Sequence, residues 1–115
     1  MNWLPLITEE QLIDITLLSQ KNDIKAVVLL KHSTRCSISS MALNRLERSW
    51  KLSEMEVPTY LLDLLNYRNI SNKIESVFSI PHESPQVLVI KNGKCIYAAS
   101  HSDISASDIE AAINN

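Results

Sequence analysis

Apolar and polar positions alternate along the chain in two periods, and the switches between them predict where elements begin and end. Ala26-Val27-Val28-Leu29-Leu30 is a short continuous apolar run, partly β-branched, as a strand buried on both faces would be. Val57 to Asp63 has the same character, and Leu6-Ile7 predicts a short edge strand. Between these runs the spacing becomes helical. Thr8 followed by Gln11 forms a capping-box pattern that opens a helix through Gln20, with Leu12, Ile13, Leu17 and Leu18 inward. A second helix is predicted from about Cys36 to Leu52, with Ile38, Met41, Ala42, Leu46 and Trp50 facing the core. Ile70, Ile74, Val77 and Phe78 mark a third helix.

Towards the carboxyl end, Gln86–Lys91 and Lys94–Ala99 flank Asn92-Gly93, the strongest short-range hairpin signal in the chain. A last helix opens at Ser105 as N-cap, with Asp108 as capping acid and Ile104 stapling onto Ile109. The order is therefore β-α-β-α-β-α-β-β-α. Strands separated by helices pair in parallel through right-handed crossovers, and the hairpin must add antiparallel strands. The expected fold class is α/β, a central mixed sheet flanked by helices in the thioredoxin-like arrangement. Residues 1–115 form one domain on this reading, since 115 residues suffice for one core and not for two.

Composition removes several functions. The chain has one glycine, Gly93, so no glycine-rich phosphate loop is present. Eleven basic and thirteen acidic residues leave a net charge of −2, without the basic footprint of a nucleic-acid binder. No apolar run approaches the roughly 20 residues that span a bilayer, so no membrane partner is expected. Met1-Asn2-Trp3-Leu4-Pro5 carries neither a basic region nor an apolar signal core, which predicts a cytoplasmic protein. In that compartment Cys36 and Cys95 are expected to remain unbridged, and the sequon Asn69-Ile70-Ser71 is a chance match.

The candidate chemistry lies at Cys36-Ser37-Ile38-Ser39, directly after a buried strand and on the first turn of a helix. Unpaired amide hydrogens and the positive end of the helix dipole favour a thiolate at such a position. Arg35 beside it brings a further positive charge. The spacing is that of the C-x-x-C redox motif, with Ser39 in place of the second cysteine. A serine hydroxyl can hydrogen-bond a thiolate but cannot resolve a disulfide, so a mixed disulfide on Cys36 needs an external thiol for release. Spacing alone leaves open an inert Cys36 that packs as a small hydrophobe. Ser84-Pro85 precedes the strand expected to run antiparallel to Ala26–Leu30, which places it beside Cys36. Either isomer of that bond is compatible with the sequence; a cis bond would free the Ser84 backbone to pair with a bound peptide. Of the three histidines, His82 and His101 stand where they can orient a ligand or make a surface hydrogen bond. No His or Cys pair has metal-ligand spacing, so no metal site is expected.

The run Lys31 to Ser39, with His82-Glu83-Ser84-Pro85-Gln86, Asn92-Gly93 and Ser100-His101, resembles the monothiol bacilliredoxins of the bacillithiol system. The resemblance spans nearly the whole chain. It implies a thioredoxin-like fold and removal of bacillithiol from S-bacillithiolated cytosolic proteins by thiol–disulfide exchange. It further implies Cys36 as nucleophile, Ser39 in the second motif position and Pro85 as a cis-proline opposite Cys36. Arg35, Ser37, Ser84, Pro85 and His101 are the residues expected at the substrate. The implied partners are S-thiolated proteins and a small thiol, bacillithiol, as co-substrate, with no tightly bound cofactor. Two departures fall inside the family's T-C-P-I-S motif: Arg35 replaces threonine and Ser37 replaces proline, which weakens preorganisation of the helix start. Two other functions remain compatible with the residues. One is a peptide-binding module with an unreactive Cys36, the other a redox sensor that accepts a thiol without turnover.

Overall fold

In the computed structural model, which describes residues 1–115, the elements follow the expected order. They are β1 (Trp3–Pro5), α1 (Glu10–Leu18), β2 (Val27–His32), α2 (Ser37–Ser49), β3 (Thr59–Asp63), α3 (Arg68–Phe78), β4 (Gln86–Lys91), β5 (Lys94–Ser100) and α4 (Ala106–Asn114). A single 3-10 turn, His101–Asp103, separates β5 from α4. The five strands form one sheet in the order β1-β3-β2-β4-β5. β3 pairs in parallel with β1 and with β2, while β4 runs antiparallel to both β2 and β5. This is a thioredoxin-like mixed sheet.

The period of two along β2 divides the core. Val27 and Leu29 face one layer with Leu12, Ile15, Ile70 and Ile74 of α1 and α3. Val28 and Leu30 face the other with Ala42 and Leu46 of α2 and Ile109 and Ile113 of α4. The same alternation carries on through two polar residues, both buried, and sends Lys31 to the first face and His32 to the second.

Local signals account for the ends of the elements. The Gln11 amide donates to Thr8 Oγ1 at 3.3 Å and Gln11 Oε1 accepts from the Thr8 amide at 2.9 Å, a reciprocal capping box. Ser105 caps α4 by accepting from the Asp108 amide, and Ile104 and Ile109 are both fully buried. Asn92 and Gly93 both have positive φ, as a two-residue hairpin turn requires. The tip docks on the end of α1, where the Gly93 amide donates to Ser19 Oγ at 2.9 Å.

Several inward assignments are corrected. The edge strand is Trp3–Pro5 rather than Leu6-Ile7; Leu6 drops into the core and Ile7 is exposed. In α1 the buried residues are Leu12 and Ile15, whereas Ile13 and Leu17 face solvent. In α2 they are Ser39, Ala42 and Leu46; Ile38 and Met41 are exposed, and the helix stops at Ser49. Val77 of α3 is exposed, with Ser71 buried in its layer instead. In α1 and α2 the buried stripe is narrower than the apolar set, because short helices on a five-stranded sheet cover only part of their circumference. His32 is the last residue of β2.

Candidate active site

β2 ends at His32, and a turn follows in which the Cys36 amide donates to the Ser33 carbonyl at 3.2 Å. Cys36 is the N-cap of α2, with extended backbone angles (φ −108°, ψ 120°), and is half-buried. It stands just outside the first turn that the spacing had assigned to it. The free amides of that turn still converge on its side of the helix. Arg35 and Ser37 flank it and are both exposed.

Ser39, three positions on, is fully buried. Its Oγ lies 2.6 Å from His32 Nδ1 and accepts from the Ser33 amide at 3.0 Å. Both bonds lead back to β2 and its turn, not to the Cys36 sulfur. His32 itself is 7% exposed, and burial lowers its pKa from the ordinary 6.5 against the opposing pull of the Asp63 and Glu47 carboxylates. Sequence reasoning had passed over His32, although its place as the sixth position of an alternating buried strand was the available signal.

The Ser84–Pro85 peptide bond is cis. Pro85 is buried and immediately precedes Gln86, which pairs with Lys31 across the β2–β4 ladder. Neither the amide nor the carbonyl of Ser84 is engaged within the chain. The preceding loop is tied down at several points. Gln86 Nε2 donates to the Pro81 carbonyl at 3.1 Å, and its Oε1 accepts from the Glu83 amide at 3.3 Å. The His82 amide donates to Glu75, and the Ser100 hydroxyl donates to Glu83. Behind the loop, His82 Nδ1 lies 3.2 Å from both Lys31 Nζ and Ser71 Oγ. Burial lowers the Lys31 pKa from its ordinary 10.5, with Glu75 opposing. His101 is exposed, with φ 56°, and its amide donates to the Pro85 carbonyl at 3.0 Å. Arg45 of α2 holds that turn from the other side, donating to the carbonyls of His101 and Ile104.

Cys95 stands apart. It pairs with Ile90, which pairs in turn with Val27 at the beginning of β2, at the opposite end of the sheet from the Cys36 turn. Both cysteines are free. Burial pushes the Cys95 thiol up from its ordinary value, and its Sγ lies 3.3 Å from the Tyr97 carbonyl.

The profile of the monothiol bacilliredoxin BrxC family matches residues 5–109. The chain belongs to the monothiol bacilliredoxin family. Solved structures agree on the fold of this bacilliredoxin. One, described as a candidate oxidoreductase with a thioredoxin fold, is 29% identical with a TM-score of 0.78, over 95% of this chain and 91% of that one. A thioredoxin from Malassezia sympodialis is 21% identical with a TM-score of 0.71, over 98% of this chain and 89% of its own. A thioredoxin from Trypanosoma brucei brucei is 14% identical with a TM-score of 0.72, over 98% and 88%. Membership of the bacilliredoxin family, with this fold, supports a thiol–disulfide redox role. No helix of this bacilliredoxin is long and apolar enough to cross a membrane.

Proposed function

We propose that this bacilliredoxin reverses protein S-thiolation. The Cys36 thiolate attacks the mixed disulfide of a cytosolic client at the sulfur of the small thiol. One S–S bond breaks, a new one joins Cys36 to the small thiol, and the client cysteine leaves as a thiolate that takes a proton from water. A second small thiolate then attacks the Cys36 adduct and releases a symmetrical disulfide. The free backbone of Ser84 suits strand-like pairing with a client segment beside Cys36. On this reading Arg35, Ser37 and His101, all exposed, are the side chains offered to the substrate.

The carrying observation is the absence of a resolving thiol within reach. Ser39 occupies the i+3 position, and Cys95 lies at the far end of the sheet. Family membership favours bacillithiol as the small thiol, a co-substrate rather than a bound cofactor. The test is intact-mass spectrometry of the protein exposed to a bacillithiol-modified client. The expected result is one bacillithiol adduct on Cys36 with release of free client thiol, both lost in Cys36→Ser. Adduct formation that persists in Cys36→Ser would overturn the reading.

A further inference from the structure

The outer face of α2 carries side chains that neither the core nor the exchange at Cys36 uses. Ile38 is 54% and Met41 61% exposed. Single apolar side chains on a surface are ordinary, but these two are neighbours at i and i+3 on the helix that Cys36 caps. Arg45 and Arg48 continue the same stripe. At about 100° per residue, positions 38, 41, 45 and 48 fall within about 80° of arc. Met41, Arg45 and Arg48 line one groove of about 520 Å³, and Arg45, Arg48 and Lys51 line a second against α4. None of these three cations has a carboxylate partner; the ion pairs of the chain join the Met1 amino group to Glu54 and Lys25 to Glu56. Of the two carboxylates along the grooves, Glu47 accepts from the Trp3 indole at 3.1 Å, and Glu110 lies across on α4.

We propose that the stripe Ile38–Met41–Arg45–Arg48 is the docking surface for the S-thiolated client, and that it takes an extended segment with an apolar side chain beside the modified cysteine and acidic side chains further along. The proposal rests on the reading of Cys36 as the exchanging thiol and adds which clients that thiol serves. The helix sets the spacing. At 1.5 Å per residue Arg45 and Arg48 lie about 10 and 15 Å beyond Ile38, which an extended chain covers in about three to five residues. Arg45 also donates to the His101 carbonyl, and the His101 amide donates to the Pro85 carbonyl. The basic end of the stripe is thereby bonded to the loop where Ser84 offers its backbone. A second copy seated by the same face would set arginine against arginine, whereas an acidic segment meets cations that no carboxylate of the chain pairs with.

The experiment compares de-thiolation of short peptides that carry a bacillithiol-modified cysteine, a leucine beside it, and either glutamates or lysines about four residues on. Wild-type kcat/KM is expected to be about fivefold higher for the glutamate peptide. Arg48→Glu is expected to reverse that preference, and Met41→Gln to lower kcat/KM for both peptides about fivefold. Exchange with neutral 2-hydroxyethyl disulfide, which has no flanking residues, should be unchanged in both variants. In parallel, NMR titration with the glutamate peptide carrying serine in place of the modified cysteine should shift the amides of Met41 and Arg48. Equal, measurable rates for the two peptides in the wild type, or the absence of shifts on α2, would overturn the docking surface and leave de-thiolation standing. An equal loss with the neutral disulfide in both variants would assign the effect to Cys36 itself and overturn it too. Absence of exchange with every disulfide overturns the de-thiolation reading, and the NMR titration then decides the surface by itself.

Discussion

The amide of His101 donates to the carbonyl of Pro85 at 3.0 Å and joins the turn after β5 to the loop before β4. His101 adopts a left-handed conformation to do so, and Arg45 secures it by donating to its carbonyl at 3.2 Å. The loop before β4 and the turn after β5 are thus fastened to α2. Arg45→Ala leaves the carbonyls of His101 and Ile104 without that donor and is expected to cost about 1–2 kcal/mol of stability. Urea unfolding measures the loss. In a de-thiolation assay the same variant should raise KM for a disulfide substrate more than it lowers kcat.

Ser39→Cys is expected to give a pair that closes internally. Residues i and i+3 on one helical turn have Cα atoms about 5–6 Å apart, within the range a disulfide tolerates. Under mild oxidant the variant's three cysteines should fall to one titratable thiol, Cys95, with monomeric mobility on a non-reducing gel. Retention of all three thiols would show that positions 36 and 39 diverge.

Cys95 is expected to react far more slowly with iodoacetamide than Cys36, because burial raises its pKa and its Sγ is engaged with the Tyr97 carbonyl. Cys95→Ser should leave de-thiolation activity unchanged. Peptide mapping after timed alkylation gives the two rates directly.

His32 and His82 both have pKa values lowered from 6.5, by burial first in each case, with Lys31 and Arg68 adding to the effect at His82. The unfolded chain therefore binds more protons than the native one between the lowered values and 6.5. Stability rises with pH through that window and is lost as pH falls below about 6.5. Urea midpoints at a series of pH values should show this slope, and His32→Asn should flatten it. A slope unchanged in that variant would assign the acid sensitivity to other groups.

Gly93 has φ 79°, and an added Cβ would lie 2.8 Å from Gln20 Nε2. The glutamine end is flexible and can move, but the backbone cannot. Gly93→Ala is expected to cost about 1–2 kcal/mol through the left-handed conformation alone. Thermal unfolding measures it, and Cys36 alkylation should be unaffected because the hairpin tip is at the other end of the sheet.

What the sequence disclosed was mostly local. Asn92-Gly93, the Thr8–Gln11 box and the Ser105 cap involve neighbours in the chain, so composition and spacing identify them directly. The position of Cys36 at a strand-to-helix junction was legible for the same reason. The surroundings of the thiol were less so. Ser39 is buried because His32, seven residues earlier, meets it, and a buried serine interrupts the apolar stripe that periodicity follows. Ile38 and Met41 were read inward for want of that contact. Lys31 and His82 are 51 positions apart, and only the β2–β4 pairing brings them together. Chain-distant polar contacts leave no periodic trace.

Cys36 comes from the turn after β2, Ser84–Pro85 from the loop before β4 and His101 from the turn after β5, and the Arg45 bond to that last turn spans 56 positions. A ribosome delivers these pieces in order, so Cys36 emerges long before the other two. Any proteolytic cut between β3 and β4 would likewise fall between Cys36 and the cis-proline loop in the chain. On the proposed reading the reaction therefore belongs to the completed fold, which alone holds Cys36, the cis-proline loop and the His101 turn in one arrangement.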